Sequence, residues 1–537
     1  MASNPQQMKI TAARRSQRVQ VLNVNDFTGG LNLLTDTFRL GSTESPDMLN
    51  VDVDRRGGFQ SRRGVTPVNS TALASDPTNV WSFRNSAGAD QLMAQVGYDV
   101  FYSTGSNFTS IALDTSMSGP MRAATFKDVN YITRRTVASV KWTGTTKTVL
   151  TANGATWQDD LLLPTGGYMP TAKLIAAHMG FMWVANTLES TVAYPNRLRF
   201  SHDNLPEDWR QLDFIDIDTG KDGDVITAIF PFSDHLVVCK RNSTYAVYGF
   251  SASTFSVVNI SNTVGCVSQE AGVNTPAGLY IFDPDTGVHL YTGKNSLDWK
   301  FTQLFPAVRD GSIVTSSIEN VMLGWVNDRL WVSVPWAGTP YRSRTFVHDP
   351  RHGAQGSWTA YDLKAGPFAS AFATNVPISV QYGAKRAIRL EQSVDYDDFG
   401  LGTQNFIKSH YVTRWIDAGQ PTMKKRWKRS DFVLHSGQPT DVSLSAEVFV
   451  DYDRTVAKKQ FSLISPAGSS DPFTWDTSRW DSTTQAFERA GTIDEIDKGA
   501  SMGLARAVSI KINGPQNQNT NWGVDAIVFK FIPRRVR

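Results

Sequence analysis

One unit of short strands and turns recurs along most of this chain. In each copy a turn rich in Gly, Asp or Asn leads into alternating apolar residues, and a second turn leads into a second strand. Examples are "VWSFRNSAGADQLMAQVGYDVFYST", "ITAIFPFSDHLVVCKRNSTYAVYG" and "VMLGWVNDRLWVSVP". The copies begin near Val80, Met121, Ala172, Ile226, Glu270, Val321 and Ala371. A unit of several strands that recurs roughly every 40 to 55 residues indicates a fold built from equivalent sheets.

This period predicts an all-β chain whose main domain is a β-propeller of about seven blades, with six and eight as open counts. The 15 Trp, 15 Tyr and 29 Phe lie mostly within β-branched runs, which favour strands over helices. A sandwich or barrel also places a strand about every 8 to 12 residues. Neither of them would repeat the same aromatic-bearing unit so many times.

The pattern changes after Gly402. In "VSLSAEVFVDYD" the apolar positions are Val442, Leu444, Ala446, Val448 and Val450. Alternation with period two predicts an antiparallel sheet with one buried face, and we interpret this region as a β-sandwich. We therefore divide the chain into an N-terminal arm with a closing hairpin (residues 1–65), the propeller (66–402) and the C-terminal sandwich (403–537). We expect the last region to fold on its own.

The arm carries the signature of a hairpin in "NVDVDRRGGFQSRRGV". Residues 50–54 alternate as a strand, Gly57 and Gly58 permit a tight turn, and "FQSRRGV" returns as the partner. The first and last blades of a propeller must be joined, or their open edges would face solvent. We expect the hairpin to close or clamp the propeller. Its four arginines are then exposed to a neighbouring subunit, with DNA phosphates as the alternative partner: Arg55, Arg56, Arg62 and Arg63.

Net charge is +3, from 53 basic and 50 acidic residues, which is too small to indicate a nucleic-acid binder. The densest basic run is "KKRWKR", in which Trp427 is surrounded by Lys424, Lys425, Arg426, Lys428 and Arg429. Such a run could form a nucleic-acid strip. Strand alternation would instead put Trp427, Lys425 and Arg429 on one face. We expect the cations to meet solvent or a neighbouring subunit.

The stretch "DIDTGKDGD" offers the carboxylates Asp216, Asp218, Asp222 and Asp224 around two glycines. Alternating oxygen ligands with a glycine turn are typical of calcium loops, but the spacing departs from the EF-hand and the final Glu is missing. These residues are therefore candidate metal ligands, and a polar turn between strands is the simpler interpretation. Cys239 and Cys266 lie in strand-like runs and are expected to be small buried side chains without a disulfide.

Motifs of catalysis are not found: there is no G-x-S-x-G elbow, P-loop, H-E-x-x-H or dinucleotide fingerprint. We expect no catalytic residue, no cofactor and no enzyme activity. Two carboxylates converging in the central pocket would instead indicate a glycosidase. No apolar run approaches the ~18 residues of a membrane span. The start "MASNPQQMKITAARRSQRVQ" has no apolar segment after its basic residues, so we expect no secretory signal.

Five stretches resemble the tailed-bacteriophage tail nozzle or tail-hub proteins, a family also described as packaged-DNA stabilisation or minor tail proteins. They are "DFTGGLN", "SPDMLNVDVD", "RRGGFQSRRGV", "NRLRFSHDNLPEDW" and "WGVDAIVFKFIPRR". The resemblance covers nearly the whole chain and implies a propeller protein that assembles into a ring, usually of six copies. The ring would retain packaged DNA below the portal and conduct it during ejection.

The resemblance also implies partners and a location. The partners are further copies of the chain, a phage adaptor or head-to-tail connector, tail fibre or needle proteins, and phage DNA in transit. The protein is expected in the virion tail after synthesis in the host cytoplasm, without a membrane span. Two alternatives stay open: a minor tail protein of a long-tailed phage, and a receptor-binding or glycan-degrading propeller at the tail tip.

Overall fold

A computed structural model gives the architecture of most of the chain. It describes residues 18–54, 56–105, 107–113, 119–151, 168–220, 223–294, 296–352, 356–370, 376–391, 397–399, 404–435, 442–465, 495–515 and 521–534. The N-terminal segment contributes seven short strands: β1 (Gln20–Val24), β2 (Gly30–Leu31), β3 (Glu44–Ser45), β4 (Asp47–Leu49), β5 (Val51–Val53), β6 (Phe59–Ser61) and β7 (Thr66–Pro67).

Four blades follow in chain order, each a meander of four antiparallel strands. Blade 1 consists of β8 (Pro77–Arg84), β9 (Asp90–Val96), β10 (Asp99–Ser103) and β11 (Thr109–Ser110). Blade 2 consists of β12 (Arg122–Phe126), β13 (Val129–Arg134), β14 (Val137–Trp142) and β15 (Lys147–Val149). Blade 3 consists of β16 (Thr171–His178), β17 (Phe181–Glu189), β18 (Val192–Phe200) and β19 (Phe214–Asp216). Blade 4 consists of β20 (Ile226–Phe232), β21 (His235–Lys240), β22 (Thr244–Tyr248) and β23 (Ser256–Ser261).

Three more blades complete the propeller. Blade 5 consists of β24 (Gly272–Thr275), β25 (Gly278–Asp283), β26 (Gly287–Tyr291) and β27 (Leu297–Trp299). Blade 6 consists of β28 (Met322–Val326), β29 (Arg329–Pro335), β30 (Arg342–Asp349) and β31 (Ser357–Tyr361). Blade 7 has β32 (Ala365–Ser370), β33 (Pro377–Gln381) and β34 (Arg386–Arg389). Four short helices lie between blades 4 and 6: the 3-10 turns Gln269–Ala271, Thr302–Leu304 and Thr315–Asn320, and α1 (Phe305–Arg309).

The seven first strands form a closed circle, because each lies beside the first strand of the next blade and β32 lies beside β8. Neighbouring blades share apolar cores. Blades 3 and 4 enclose Trp183, Phe200, Tyr245 and Val247, for example. The predicted all-β propeller is confirmed, with seven blades among the described residues. The last blade begins at Ala365, earlier than the predicted Ala371, which is not among the described residues.

Blade 7 is closed by the N-terminal segment. Its fourth, outermost strand is β7, with Pro67 opposite Ile388 and Thr66 opposite Arg389. Proline is tolerated there because an outermost strand needs no second ladder of hydrogen bonds. The predicted hairpin does form from β5 and β6, with Gly57 at φ +99° in the turn. Its expected role is corrected: the hairpin pairs with β43 of the C-terminal region, and the residues just after it close the propeller.

The C-terminal region contains two facing sheets and a separate two-stranded sheet formed by its first two strands. Its strands are β35 (Asp397–Phe399), β36 (Gln404–Phe406), β37 (His410–Val412), β38 (Lys425–His435), β39 (Val442–Val450), β40 (Lys459–Ser465), β41 (Glu495–Ala505), β42 (Val508–Asn513) and β43 (Gly523–Pro533). One sheet has the order β41-β38-β43-β6-β5, with β1 also on β43. The other has the order β4-β37-β42-β39-β40. We call the pair the sandwich.

Both sheets of the sandwich therefore include strands from the arm. Across their interface the ring of Phe59 on β6 stacks on Tyr411 of β37, with centroids 4.1 Å apart. Phe27 meets both rings edge-on. The expectation that residues 403–537 build a core alone needs correction, because the arm supplies four strands and several of the largest core side chains.

The arm also fastens the sandwich to the outer edge of blade 6. Strand β2 extends that blade by pairing in parallel with β31, at Gly30 and Trp358. A Cβ on Gly30 would approach the Trp358 carbonyl oxygen to 2.5 Å, and its φ is +63°, so only glycine suits this position. The buried side chain of Asn50 then joins three segments, as its amide bonds to Asp362, Lys408 and Arg62.

Candidate functional site

The arginines expected at a subunit contact are separated by the structure. Arg56 and Arg63 are exposed, and Arg55 lies outside the described residues. Arg62 is only 1% exposed, which corrects its expected place on the surface. Its Nε donates to Asn50 Oδ1 at 2.8 Å, and its guanidinium lies 5.4 Å from the centre of the Tyr361 ring. Arg62 therefore serves the junction between arm and propeller.

The basic run on β38 is also divided. Lys424, Arg426 and Arg429 are exposed and Lys428 is half-buried, as the predicted solvated face requires. Lys425 is buried beside Trp427, which corrects its assignment as a contact residue. Its ammonium donates to the carbonyls of Gln420, Met423 and Arg506, and burial lowers its pKa.

Arg429 does not share the buried face with Trp427 as alternation predicted. The pairing of β38 with β43 shifts register between Trp427 and Asp431, so Arg429 lies inside the irregular stretch. An irregularity of this kind reverses the face of the residues that follow it. Arg429 therefore points outward, and Ser430 is buried in its place.

The candidate calcium ligands bind other partners. Asp216 forms a two-pronged ion pair with Arg197, at 2.8 and 2.9 Å. Asp218 accepts a hydrogen bond from the Tyr245 hydroxyl at 2.6 Å. Asp224 is buried and accepts from Asn242 N and Ser243 Oγ. Asp222 is not among the described residues. Within the described ranges no three His, Cys, Asp or Glu side chains converge as a metal site.

Both cysteines are buried and unbridged, as predicted. Cys239 lies on β21, and Cys266 donates from Sγ to the Ser268 carbonyl at 3.1 Å. The neighbouring Cys266 and burial both raise the pKa of the Cys239 thiol. A thiol held neutral in an apolar core is unreactive.

A wide concavity forms the mouth of the propeller channel, with a volume of about 940 Å³. It is lined by the starts of the first strands and by the turns between second and third strands, so all of it lies on one face of the propeller. Its charged side chains come from blades 2, 3 and 6 and from the connections that precede blades 1, 5 and 6: Asp76, Arg122, Arg135, Lys173, Glu270, Glu319 and Arg342.

An ion pair spans the channel below this mouth. Arg122 on blade 2 donates from Nη2 to Glu270 Oε2, next to blade 5, at 2.8 Å, and from Nη1 to the Lys173 carbonyl at 3.1 Å. Both side chains of the ion pair are about nine-tenths buried. Deeper in the channel, the apolar side chains of Trp81, Met322 and Phe368 line a second cavity of about 470 Å³. The propeller axis is therefore closed by side chains.

Burial at this mouth disfavours the charged forms of its cations. Burial lowers the pKa of Arg135 and of Lys173, and repulsion from the Arg122 guanidinium lowers both further. Burial also lowers the pKa of Arg342 to about 10, although Glu270 opposes the change. The arrangement is a positively charged recess whose one buried carboxylate, that of Glu270, is already paired.

These mouth residues were not singled out from the sequence. They lie far apart in the chain, and only closure of the propeller brings them together. A signal was nevertheless present. Arg122, Lys173 and Glu270 each lie within one residue of a predicted repeat start, at Met121, Ala172 and Glu270. Equivalent positions of successive blades face the same channel, so charged residues at repeat starts predict a charged mouth.

No helix in the described part of the chain has the length and apolar character needed to span a bilayer. No protein-family model and no curated protein matches the sequence. Among solved structures, the chain is similar to YCF48 bound to D1 peptide, with 10% identity, a TM-score of 0.36, and coverage of 62% of this chain and 98% of that one.

The chain is also similar to YCF48 from Cyanidioschyzon merolae, with 11% identity, a TM-score of 0.37, and coverage of 61% and 98%. A third similar structure is the β-propeller domain of Myceliophteria thermophila Cps50 (Swd1), with 10% identity, a TM-score of 0.37, and coverage of 62% and 100%.

Proposed function

We propose that the chain is a structural virion protein of a phage tail, and that it forms a ring that retains packaged DNA and conducts it during ejection. Support for a phage tail comes from the resemblance of "DFTGGLN", "SPDMLNVDVD" and the three further stretches given above. Support for a ring comes from the surface: large apolar side chains are exposed on the propeller and on the sandwich, and we propose one set on each as a contact surface. A head-to-tail ring requires two such complementary surfaces on each subunit.

The first patch lies on the propeller and is called the blade patch. It consists of Leu212, which is 82% exposed, and Phe250. Leu212 lies between β18 and β19, and Phe250 lies between β22 and β23. These are equivalent connections of neighbouring blades, so both side chains are on the same propeller face. Two large apolar side chains exposed on one propeller face would suit a protein contact.

The second patch lies where the arm meets the sandwich and is called the sandwich patch. The exposed ring of Phe38 lies on Tyr452, with centroids 4.7 Å apart. Val456, in the same β39–β40 connection as Tyr452, is 76% exposed. Tyr452 in turn packs on the buried Trp415. The patch therefore stands on a fixed core, which lowers the entropy lost when it binds a partner.

In such a ring the DNA passes through the central opening that the subunits surround, and not along the axis of any single propeller. The Arg122–Glu270 pair closes the propeller axis. No opening is left there for a DNA duplex, whose major groove alone is about 12 Å wide. The exposed cations Lys424, Arg426 and Arg429 on the outer face of β38 remain available to a neighbouring subunit's carboxylates. Few tight phosphate contacts suit a conduit, because many of them would slow passage and make binding strongly dependent on salt.

Mixing two variants tests the head-to-tail contact. One variant carries Leu212→Ser and Phe250→Ser, and the other carries Phe38→Ser and Val456→Ser. Each should stay monomeric alone, while an equimolar mixture should form dimers, because each subunit retains the surface that the other lacks. Sedimentation velocity measures both results. If either variant alone still forms the wild-type assembly, that patch is not part of the contact and the ring proposal fails.

The proposal includes no catalytic step. Glu270, the buried carboxylate of the central cavity, is engaged by Arg122, and Asp76 accepts from the backbone N–H groups of Gly383 and Lys385. We therefore expect no release of reducing ends from host polysaccharide or peptidoglycan. Turnover that is abolished by Glu270→Gln or Asp76→Asn would favour the glycan-degrading alternative.

A further inference from the structure

The channel mouth has more hydrogen-bond donors than acceptors. Arg342 is 8% exposed, and its Nη2 donates to the Gly366 carbonyl at 3.0 Å. Its Nε has no partner within the described part of the chain. The same holds for the Nε atoms of Arg122 and Arg135, for the Ser268 hydroxyl and for one acceptor, Glu270 Oε1. Buried donors without acceptors are costly, and in native proteins they indicate a ligand or water.

The backbone at Gly119 leaves room for the Arg135 side chain. Its guanidinium lies over Gly119, where a Cβ would come within 1.9 Å of Nη1. Gly119 also has φ +93°, a conformation that favours glycine. The Gly119 carbonyl accepts from Gln95 Nε2 at 3.2 Å, which holds this residue in place. The sequence therefore leaves a space for this cation at the cavity wall.

The cations converge with only partial compensation. Arg122 and Arg135 come from blade 2, Lys173 from blade 3 and Arg342 from blade 6. Their one buried counterion is Glu270, which Arg122 holds at 2.8 Å. The other carboxylates of the lining, Asp76 and Glu319, lie at the outer rim, where Glu319 is exposed. An oxyanion inside the cavity would relieve the mutual repulsion that lowers the pKa values of Arg135 and Lys173.

We propose that this recess binds a phosphate group, held by Arg135, Lys173 and Arg342 with the Ser268 hydroxyl. Arginine forks match phosphate oxygens, and charges from several directions suit a tetrahedral dianion. The cavity is larger than an inorganic phosphate, and Tyr98, Tyr341 and Tyr382 also line it. The rings of Tyr341 and Tyr382 are stacked, with centroids 4.5 Å apart. The remaining space fits the organic part of a phosphate monoester. The inference does not depend on ring formation.

Titration calorimetry with two probes tests the site and identifies the source of the phosphate. Sodium phosphate and adenosine monophosphate are titrated into the full chain at constant ionic strength, with sodium chloride as the blank. Equal Kd values would assign the site to the free anion. A Kd at least about ten-fold lower for the nucleotide would assign it to an organic monoester. If neither probe binds more than the chloride blank, the proposal is wrong.

Lys173→Met and Arg135→Gln then locate the site. Within the described residues neither side chain has a hydrogen-bond partner, and both experience repulsion, so the variants should melt at or above the wild-type temperature without ligand. Each should weaken phosphate binding by about ten-fold, because a charge-assisted bond is lost. The matched control is Arg309→Gln, an exposed cation at the end of α1, which should bind like the wild type. Equal affinity in all three variants would overturn the assignment.

Discussion

Replacing Asn50 with alanine should detach the arm from the propeller. Its Nδ2 donates to Asp362 Oδ1 at 2.6 Å and to the Lys408 carbonyl at 2.7 Å. Its Oδ1 accepts from Arg62 Nε at 2.8 Å and from Asp362 N at 3.1 Å. Alanine removes all four hydrogen bonds in a fully buried site. Each is worth about 1 kcal/mol net, so we expect a loss of about 4 kcal/mol.

Backbone conformation adds to this loss. Asn50 has φ +54°, a left-handed conformation that costs alanine about 1 kcal/mol but not glycine. Asn50→Ala should therefore lower the free energy of unfolding by about 5 kcal/mol, and Asn50→Gly by about 4 kcal/mol. Asn204 is the control. It shares the conformation, at φ +56°, but its side chain is exposed and bonds only to Asp203, so Asn204→Ala should cost only about 1 kcal/mol.

Urea denaturation followed by tryptophan fluorescence measures these differences, and hydrogen exchange locates them. We expect protection to fall first in β4–β6 and at the end of β31, which meet at Asn50. A loss below about 1.5 kcal/mol for Asn50→Ala, close to that of the exposed control, would refute the role of Asn50 as the junction of arm, propeller and sandwich.

Three further substitutions test the packing and electrostatics described above. Gly324→Ala would bring a Cβ within 2.3 Å of the Phe368 ring and should cost about 1–3 kcal/mol, whereas Gly105→Ala, with open space around it, should change the urea midpoint little. Lys425→Met removes three hydrogen bonds from the buried ammonium to backbone carbonyls and should cost about 1–3 kcal/mol, so an unchanged urea midpoint would contradict this arrangement. Burial raises the pKa of Glu189, but hydrogen bonds from its arginine partner outweigh this and hold the pKa below the ordinary 4.5. The stability that wild type gains over Glu189→Gln should thus be full above about pH 4.5 and fall as the pH drops through the lowered pKa, and a pH-independent difference would contradict it.

The repeat of strands and turns was sufficient to predict the propeller, because blade period and turn chemistry are local properties. Six of the seven predicted repeat starts lie within three residues of the residue at which a first strand begins: Val80, Met121, Ala172, Ile226, Glu270 and Val321. The β5–β6 hairpin was equally readable from its glycines. The strand that pairs with each of these elements could not be predicted, because alternation indicates the two faces of a strand but not its neighbour in the sheet. The pairing of the hairpin with β43 is one case.

Burial of single cations was also beyond the sequence. Arg62 and Lys425 occur in runs of basic residues that are typical of surfaces. Both are buried because the fold places acceptors around them that the basic runs do not contain: Asn50 for the first, and the Gln420 and Arg506 carbonyls for the second. The charged channel mouth likewise depends on the closure of seven blades into a circle.

Imaging the purified full-length chain by cryo-electron microscopy tests the central claim most directly. The account predicts closed rings of a single rotational order, expected to be six, in which the blade patch of one subunit meets the sandwich patch of the next. The central opening should be wide enough for duplex DNA, while each propeller axis stays closed at the Arg122–Glu270 pair. Particles that remain single subunits at every concentration, or trimers without a through-channel, would contradict it.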